Sequence, residues 1–172
     1  FWSTNFGQDA TLKDPKRKHR FTVEFQGINA AQGGALLWYA KTATKPGFNI
    51  NAAEHKYLGH TFYYPGNVTW ETVTVDPDVT ATFSDIVVAG GYTPPTDANS
   101  LGTVSKAKAT GALGNVLITQ LDGDGNPVES WTLWNAFIMS VKQDDLDYTS
   151  DDLSTTTVEL RYDWARVETL TN

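Results

Sequence analysis

The feature that most constrains this chain is period-two alternation of apolar and polar residues. In "RFTVEFQGI", Phe21, Val23 and Phe25 fall on one face and Thr22, Glu24 and Gln26 on the other, the pattern of a half-buried strand. "NVTWETVTV" (67–75) reads as strand throughout, rich in the β-branched residues that suit a pleated surface. "ALLWYAKTA" (35–43) reads as another, closed by "KPG" at 45–47, and further strands are expected over 115–121, 128–142 and 156–168. The acidic loop "QDDLDYTSDD" separates the last two, and "HKYLGHTFYYPG" reads as strand pieces around a long excursion punctuated by Gly and Pro.

One segment departs from this rhythm. "DPDVTATFSDIVVAGG" offers Asp76 as an N-cap and Pro77 at the first helical position. Val79, Phe83, Ile86 and Val87 then form one apolar stripe, and Gly90 and Gly91 can end it, so a helix is expected over 77–90. "YTPPTDANSLG" reads as loop, and "TVSKAKATGALG" carries at most the signal of a helical turn. No internal repeat or low-complexity segment is evident. The predicted fold class is therefore mainly β: an antiparallel β-sandwich or barrel with one buttressing α-helix, in a single domain over 1–172. Apolar residues make up 40 % and aromatics 12 %, too much packing material for a disordered chain. No apolar run approaches the roughly 18 residues of a membrane span, and no signal peptide is visible. The sequence begins at Phe1 rather than Met, which is compatible with processing upstream.

Several chemistries fail on residue type or spacing. There are no cysteines, which excludes disulfides, thiolate metal sites and cysteine nucleophiles. "QLDGDGNPVESW" (120–131) sets Asp122, Asp124 and Asn126 at alternate positions, like the first ligands of an EF-hand. With Asp122 as position one, the required Gly and bidentate Glu are replaced by Pro127 and Leu133, and the flanks are strand-like. The stretch reads instead as the turn of a long hairpin over 115–142. His55 and His60 lie five apart, a spacing that puts them on opposite faces of a strand, so surface or interface histidines are expected rather than ligands. Asp144, Asp145, Asp147, Asp151 and Asp152 are nearly contiguous in a Ser/Thr-rich loop, whereas a glycosidase pair comes from separate strands facing one cleft. No nucleophile elbow, phosphate loop or dinucleotide fingerprint is present, and no catalytic, cofactor or metal residue is expected.

Trp131 and Trp134 are three apart and so face opposite ways on a strand. At least one points away from its own core, which suits self-assembly as readily as a carbohydrate-binding platform. The net charge of −7 is unevenly spread: five of thirteen Lys/Arg fall in residues 13–20, and from Leu121 onward eleven acidic residues face three basic ones. The basic "KRKHR" has a nuclear-targeting look but reads as a solvated or subunit-contact arm within an N-terminal arm over 1–19. An acidic bulk surface has the wrong sign for binding nucleic acid, though it would repel one.

Taken in order, four pieces of the chain resemble the tail-tube protein of contractile-tailed bacteriophages. They are "DPKRKHRFTVEF", "WYAKTATKPGFNI", "YLGHTFYYPGNVTWETVTVDP" and the run from "VLITQLDGDGNPVESW" through "LRYDW", together most of residues 14–164. Residues 92–111 are the least family-like. The resemblance implies a virion structural protein, not an enzyme: a β-sandwich subunit of six-membered rings that stack into a tube inside a contractile sheath. DNA leaves the capsid through that tube, and strands of neighbouring subunits join into one inner barrel. It further implies partners in sheath, baseplate, tail-terminator and tape-measure proteins, with genomic DNA in the lumen bound without sequence specificity, and assembly in the bacterial host cytoplasm. The excursion over 45–66 would reach the adjacent ring, which makes Pro46, Phe48, Tyr57, Phe62, Tyr63, Tyr64 and Trp134 the expected interface residues. Tubes of secretion systems and phage-like bacteriocins share the fold, so a secretion or injection tube is the alternative within it.

Physical arguments point the same way. Edge strands of an open sandwich invite pairing, and a ring turns them into contacts. Phe62, Tyr63 and Tyr64 beside Pro65-Gly66 are costly in water unless covered.

Overall fold

The computed structural model describes residues 16–27, 37–38, 40–76, 90–99, 102–149, 151–152 and 154–170. The helix expected over 77–90 falls outside these residues except for Gly90, as does the N-terminal arm up to residue 15.

Two antiparallel sheets share one apolar core. The first runs in the order β11 (Trp164–Thr169), β8 (Pro127–Trp134), β7 (Val116–Leu121), β1 (Phe21–Phe25) and β2 (Leu37–Trp38). The second runs β3 (Thr42–Ala43), β6 (Val73–Asp76), β10 (Thr156–Arg161) and β9 (Phe137–Gln143). A separate pair, β4 (Phe48–Tyr57) and β5 (His60–Trp70), stands apart from both. Alternation carries Val23, Phe25, Val116, Ile118, Trp131 and Leu133 inward from the first sheet, and Val73, Val75, Val158 and Leu160 from the second. At about 25 cal/mol per Å² of apolar surface removed from water, these side chains are the main source of stability.

Three stretches expected as single strands are each divided between sheets. "ALLWYAKTA" splits into β2 and β3, 128–142 into β8 and β9, and 156–168 into β10 and β11. Alternation cannot mark these corners, because each half keeps its own period of two. At the β8–β9 corner Asn135 takes the left-handed conformation (φ 53°), a role suited to Asn, and Ala136 is buried. At the β10–β11 corner, the Asp163 N–H donates to the Trp134 carbonyl (3.1 Å), so the two corners brace each other. The run 67–75 is also broken, at Glu71 and Thr72, where the chain passes from β5 to β6.

A helix, α1 (Lys106–Leu113), forms where only a helical turn was legible. Ser105 caps it by accepting from Lys108 N–H (3.2 Å), and Gly114 (φ 68°) ends it. Ala109 and Leu113 are its buried residues. A Cβ on Gly114 would lie 2.4 Å from Gly27 N, so the β1 exit and the helix end approach too closely for any side chain. Among the described residues no helix is long and apolar enough to cross a membrane.

Candidate functional site: an assembly interface

The β4–β5 hairpin, Phe48 to Trp70, overlaps the stretch 45–66. Leu58 (φ 48°) and Gly59 (φ 76°) form its two-residue turn, with positive φ at both positions, the geometry that matches strand twist. Pairing runs from Phe48 opposite Trp70 to Tyr57 opposite His60, with a bulge between Ile50 and Ala52. Ten residues of strand carry the tip roughly 33 Å from the root.

The root is pinned. Glu71 N–H donates to the Gly47 carbonyl (2.8 Å) and Asn49 Nδ2 to Glu71 Oε1 (2.8 Å). Phe48, Trp70 and Tyr162 form a chain of tilted rings, 5.3 and 5.9 Å between centroids, that ends in the core. Burial pushes the Tyr162 phenol up to about 12, and its hydroxyl finds no hydrogen-bond partner.

Beyond the root, every residue from Phe48 to Thr69 is exposed, Leu58 by 80 % and Tyr63 by 65 %. The register sorts the expected interface residues. Residues opposite one another share a face, so Tyr57, Phe62 and Tyr64 lie together with Ala53, His55 and His60. Tyr63 lies on the other face, opposite Glu54 and in line with Phe48 and Ile50. The two histidines thus share a face, contrary to the sequence expectation: the turn between them reverses the chain, so their parity along the sequence does not report their side. Pro46 is half-buried at the root.

Trp134 sits elsewhere, on β8. It is exposed and stacks on Trp164 of β11, its cross-strand partner, with centroids 6.0 Å apart and planes at 14°. Trp131, on the opposite face of β8, is in the core, and Lys45 Nζ stands 4.4 Å from its ring centroid. Beside the Trp pair, the Asp163 carboxylate accepts from Lys106 Nζ (2.7 Å) and Asn135 Nδ2 (2.9 Å), which tie α1 to both corners. Those bonds, the Lys106 one foremost, hold its carboxyl below the usual carboxylate range. Sequence reasoning missed Trp164 and Tyr162, because their roles depend on cross-strand register rather than on spacing.

The other acidic candidates serve the backbone. Asp122 Oδ1 accepts from Asp124 N–H (2.9 Å) and Asn126 N–H (2.8 Å), and Asp122 N–H donates to the Asn126 carbonyl (2.9 Å). Asp144 accepts from Thr155 N–H (2.8 Å) and Oγ1 (2.6 Å), and Asp147 from Thr149 N–H and Oγ1 (both 2.9 Å). Among the described residues no three His or acidic side chains gather as a metal site would require.

No curated protein matches the chain in sequence. Among the solved structures that share its fold are three from contractile assemblies. In the sheath–tube complex of an extracellular contractile injection system (PVC, extended state), one chain superposes with TM-score 0.67 at 17 % identity, over 98 % of this chain and 100 % of that one. A chain of the anti-feeding prophage baseplate, six-fold symmetrised, gives 0.66 at 21 % identity, covering 92 % and 98 %. A chain of the anti-feeding prophage tube-terminating cap gives 0.64 at 18 %, covering 98 % and 100 %. The family of the T4-like virus tail tube protein gp19 matches residues 17–166. The exposed hairpin, the two-sheet body and this match together place the chain in the T4-like tail tube protein family.

Proposed function

We propose that this tail-tube protein is a β-sandwich subunit of six-membered rings, which stack into a channel for DNA inside a contractile sheath. The observation that carries the reading is the β4–β5 hairpin, whose aromatics are exposed on both faces of an isolated subunit. A two-stranded ribbon is marginal on its own, and large apolar side chains along it gain their stabilisation only when a neighbour covers them. Tyr57, Phe62 and Tyr64 would pack on one neighbour while Tyr63 and Ile50 meet another, so the hairpin would be clasped between subunits of adjacent rings. Among the described residues β2, β11, β3 and β9 are the sheet edges, and these would close laterally within a ring and across it into a common inner barrel. The six-fold averaging of the baseplate assembly that holds a structurally similar chain supports six as the number. In the assembled particle the partners would be sheath, baseplate, tail terminator and tape measure, with assembly in the bacterial cytoplasm before the virion is released. A net charge of −7 suits a wall past which DNA moves without adhering.

Electron microscopy of the purified chain, alone and with a nucleating baseplate, tests this. Six-fold rings or tubes are expected; a chain that stays monomeric at high concentration and with baseplate overturns the proposal. A second reading, the tube of a secretion or injection apparatus, draws on the structurally similar chain in the sheath–tube complex of an extracellular contractile injection system. Mass spectrometry of particles purified from the producing cells separates the two: capsid and portal proteins accompany a phage tail and are missing from an injection apparatus.

A further inference from the structure

Against the acidic background one basic concavity stands out. A cleft of about 770 Å³ opens between the start of β1 and the β3 edge, with Lys18, His19, Lys41 and Lys45 around it. Lys16 is also at its rim but is paired with Glu129 (2.8 Å). The floor is apolar, formed by Phe21, Ile118 and Trp131. Gln120, buried at its base, has its amide satisfied by Lys45 Nζ (2.8 Å) and the Arg17 carbonyl (3.3 Å), so the wall is fixed.

The complement lies on the same subunit, beyond the opposite edge of the second sheet. The β9–β10 loop carries Asp144, Asp145, Asp147, Asp151 and Asp152 with no basic residue among them. Between these acids, Leu146 is 92 % exposed and Tyr148 fully exposed. An apolar pair held in water amid carboxylates is the reverse of what a merely solvated loop shows. Asp144 and Asp147 accept hydrogen bonds from Thr155 and Thr149, as described above, so the stretch 144–149 that carries Leu146 and Tyr148 is shaped before any partner arrives.

Topology puts the two features within mutual reach of neighbouring copies. Among the described residues β3 and β9 are the two edges of the second sheet. Following the register, Thr42 pairs Asp76, Val75 pairs Val158 and Val158 pairs Val141, so Thr42 stands level with Lys142. The cleft flanking Thr42 and the loop that follows Lys142 therefore occupy the same end of the sheet, on opposite sides. Setting the β3 edge of one copy beside the β9 edge of the next brings cleft and loop together, head to tail, in the arrangement that generates a closed ring.

We infer that the Asp144–Asp152 loop of one copy docks in the basic cleft of its neighbour, with Leu146 and Tyr148 on the Phe21–Ile118–Trp131 floor and the carboxylates on Lys18, Lys41 and Lys45. The inference rests on the ring proposed above and adds what fixes its direction and partner choice. Attraction across the seam offsets the self-repulsion of five carboxylates in one loop, and steers encounter in the productive orientation.

A charge-swap series tests it. K18E/K41E and D145K/D151K leave Gln120, Lys45, Asp144 and Asp147 in place, and because the Lys41 charge also acts on Asp144 of its own chain, K18E alone serves as the control. Each pair alone is expected to slow ring formation by on the order of tenfold at low salt. The two combined in one chain should restore it, because the signs are exchanged and remain complementary. As the native chain has no cysteine, K18C/Y148C gives an independent readout: oxidation of assembled rings should yield a ladder of cross-linked species on a denaturing gel. Intrachain cross-linking alone would mean that the loop meets its own cleft. No cross-link, or a combined variant as slow as either parent, would mean that the loop does not dock in the cleft. Either result overturns the inference. If the unmodified chain forms no ring, the ring proposal itself fails; rings that ignore the charge swap sink only the loop docking.

Discussion

In the two-sheet body, Val23, Val73, Val75, Val116, Leu133 and Leu160 are sealed from water, whereas along β4 and β5 every residue except Trp70 is exposed. Both regions are antiparallel strands with similar amounts of apolar side chain. What differs is the number of layers: each face of the hairpin lacks the second sheet that covers the body's inner faces. The body completes itself within one chain, whereas the hairpin, joined to it through the Phe48–Trp70–Tyr162 rings, stays exposed on both faces, where the proposed ring stacking would cover it. Stability of the subunit and growth of the tube should thus be separable by mutation.

The largest expected effects fall on opposite sides of that comparison. Leu133→Ala should cost about 2–5 kcal/mol in subunit stability by leaving a cavity between the sheets, measured by denaturant unfolding. The triple change of Phe62, Tyr63 and Tyr64 to Ser should abolish tubes in electron micrographs while the unfolding midpoint stays close to that of the parent. Tubes of normal length from the triple variant would remove the hairpin from the stacking interface. Splitting the triple sharpens the point: Tyr57, Phe62 and Tyr64 changed together remove one face, Tyr63 alone the other, and the first set should shorten tubes more.

Much of this body was legible because burial writes a period of two into each strand, as Val23 and Phe25 do in β1 and Val116 and Ile118 in β7. The turn at Asp122 was legible because Asp-Gly-rich sequence favours a hairpin turn, and Pro127 at the EF-hand glycine position and Leu133 at the bidentate glutamate position do not fit a calcium loop. The corners were not, since Asn135 and Asp163 act through backbone conformation and a hydrogen bond between the two corners that leave the alternation intact on either side. The hairpin's face assignments were equally hidden, because they depend on a turn at Leu58–Gly59 and a bulge that only the register shows. Helix α1 escaped because two buried residues, Ala109 and Leu113, make too narrow a stripe to read.

Smaller effects refine the boundary between body and hairpin. Gly59→Ala forces a side chain onto φ 76° in open space, so about 1 kcal/mol should be lost locally, seen as faster hydrogen exchange near the tip with global stability unchanged. Tyr162→Phe removes a buried hydroxyl that has no partner and should leave stability unchanged or raise it by up to about 1 kcal/mol, read from the unfolding midpoint. The smallest effect concerns the Asp163 corner. Its carboxyl is held below the ordinary value in the folded chain, so its contribution is present above that ordinary value and is lost as pH falls through the lowered one. Asp163→Asn should flatten the acid limb of the stability curve and cost no more than about 1 kcal/mol near neutrality, in keeping with a surface-exposed ion pair.

Hydrogen exchange across residues 48–70, compared between free subunits and assembled tubes, tests the central claim most directly. Weak protection of the β4–β5 amides in the free subunit and strong protection in the tube, against little change in β7 or β10, is the expected result. Tubes in which 48–70 exchange as fast as in the free subunit would contradict the account, because the hairpin would then have no neighbour to complete it.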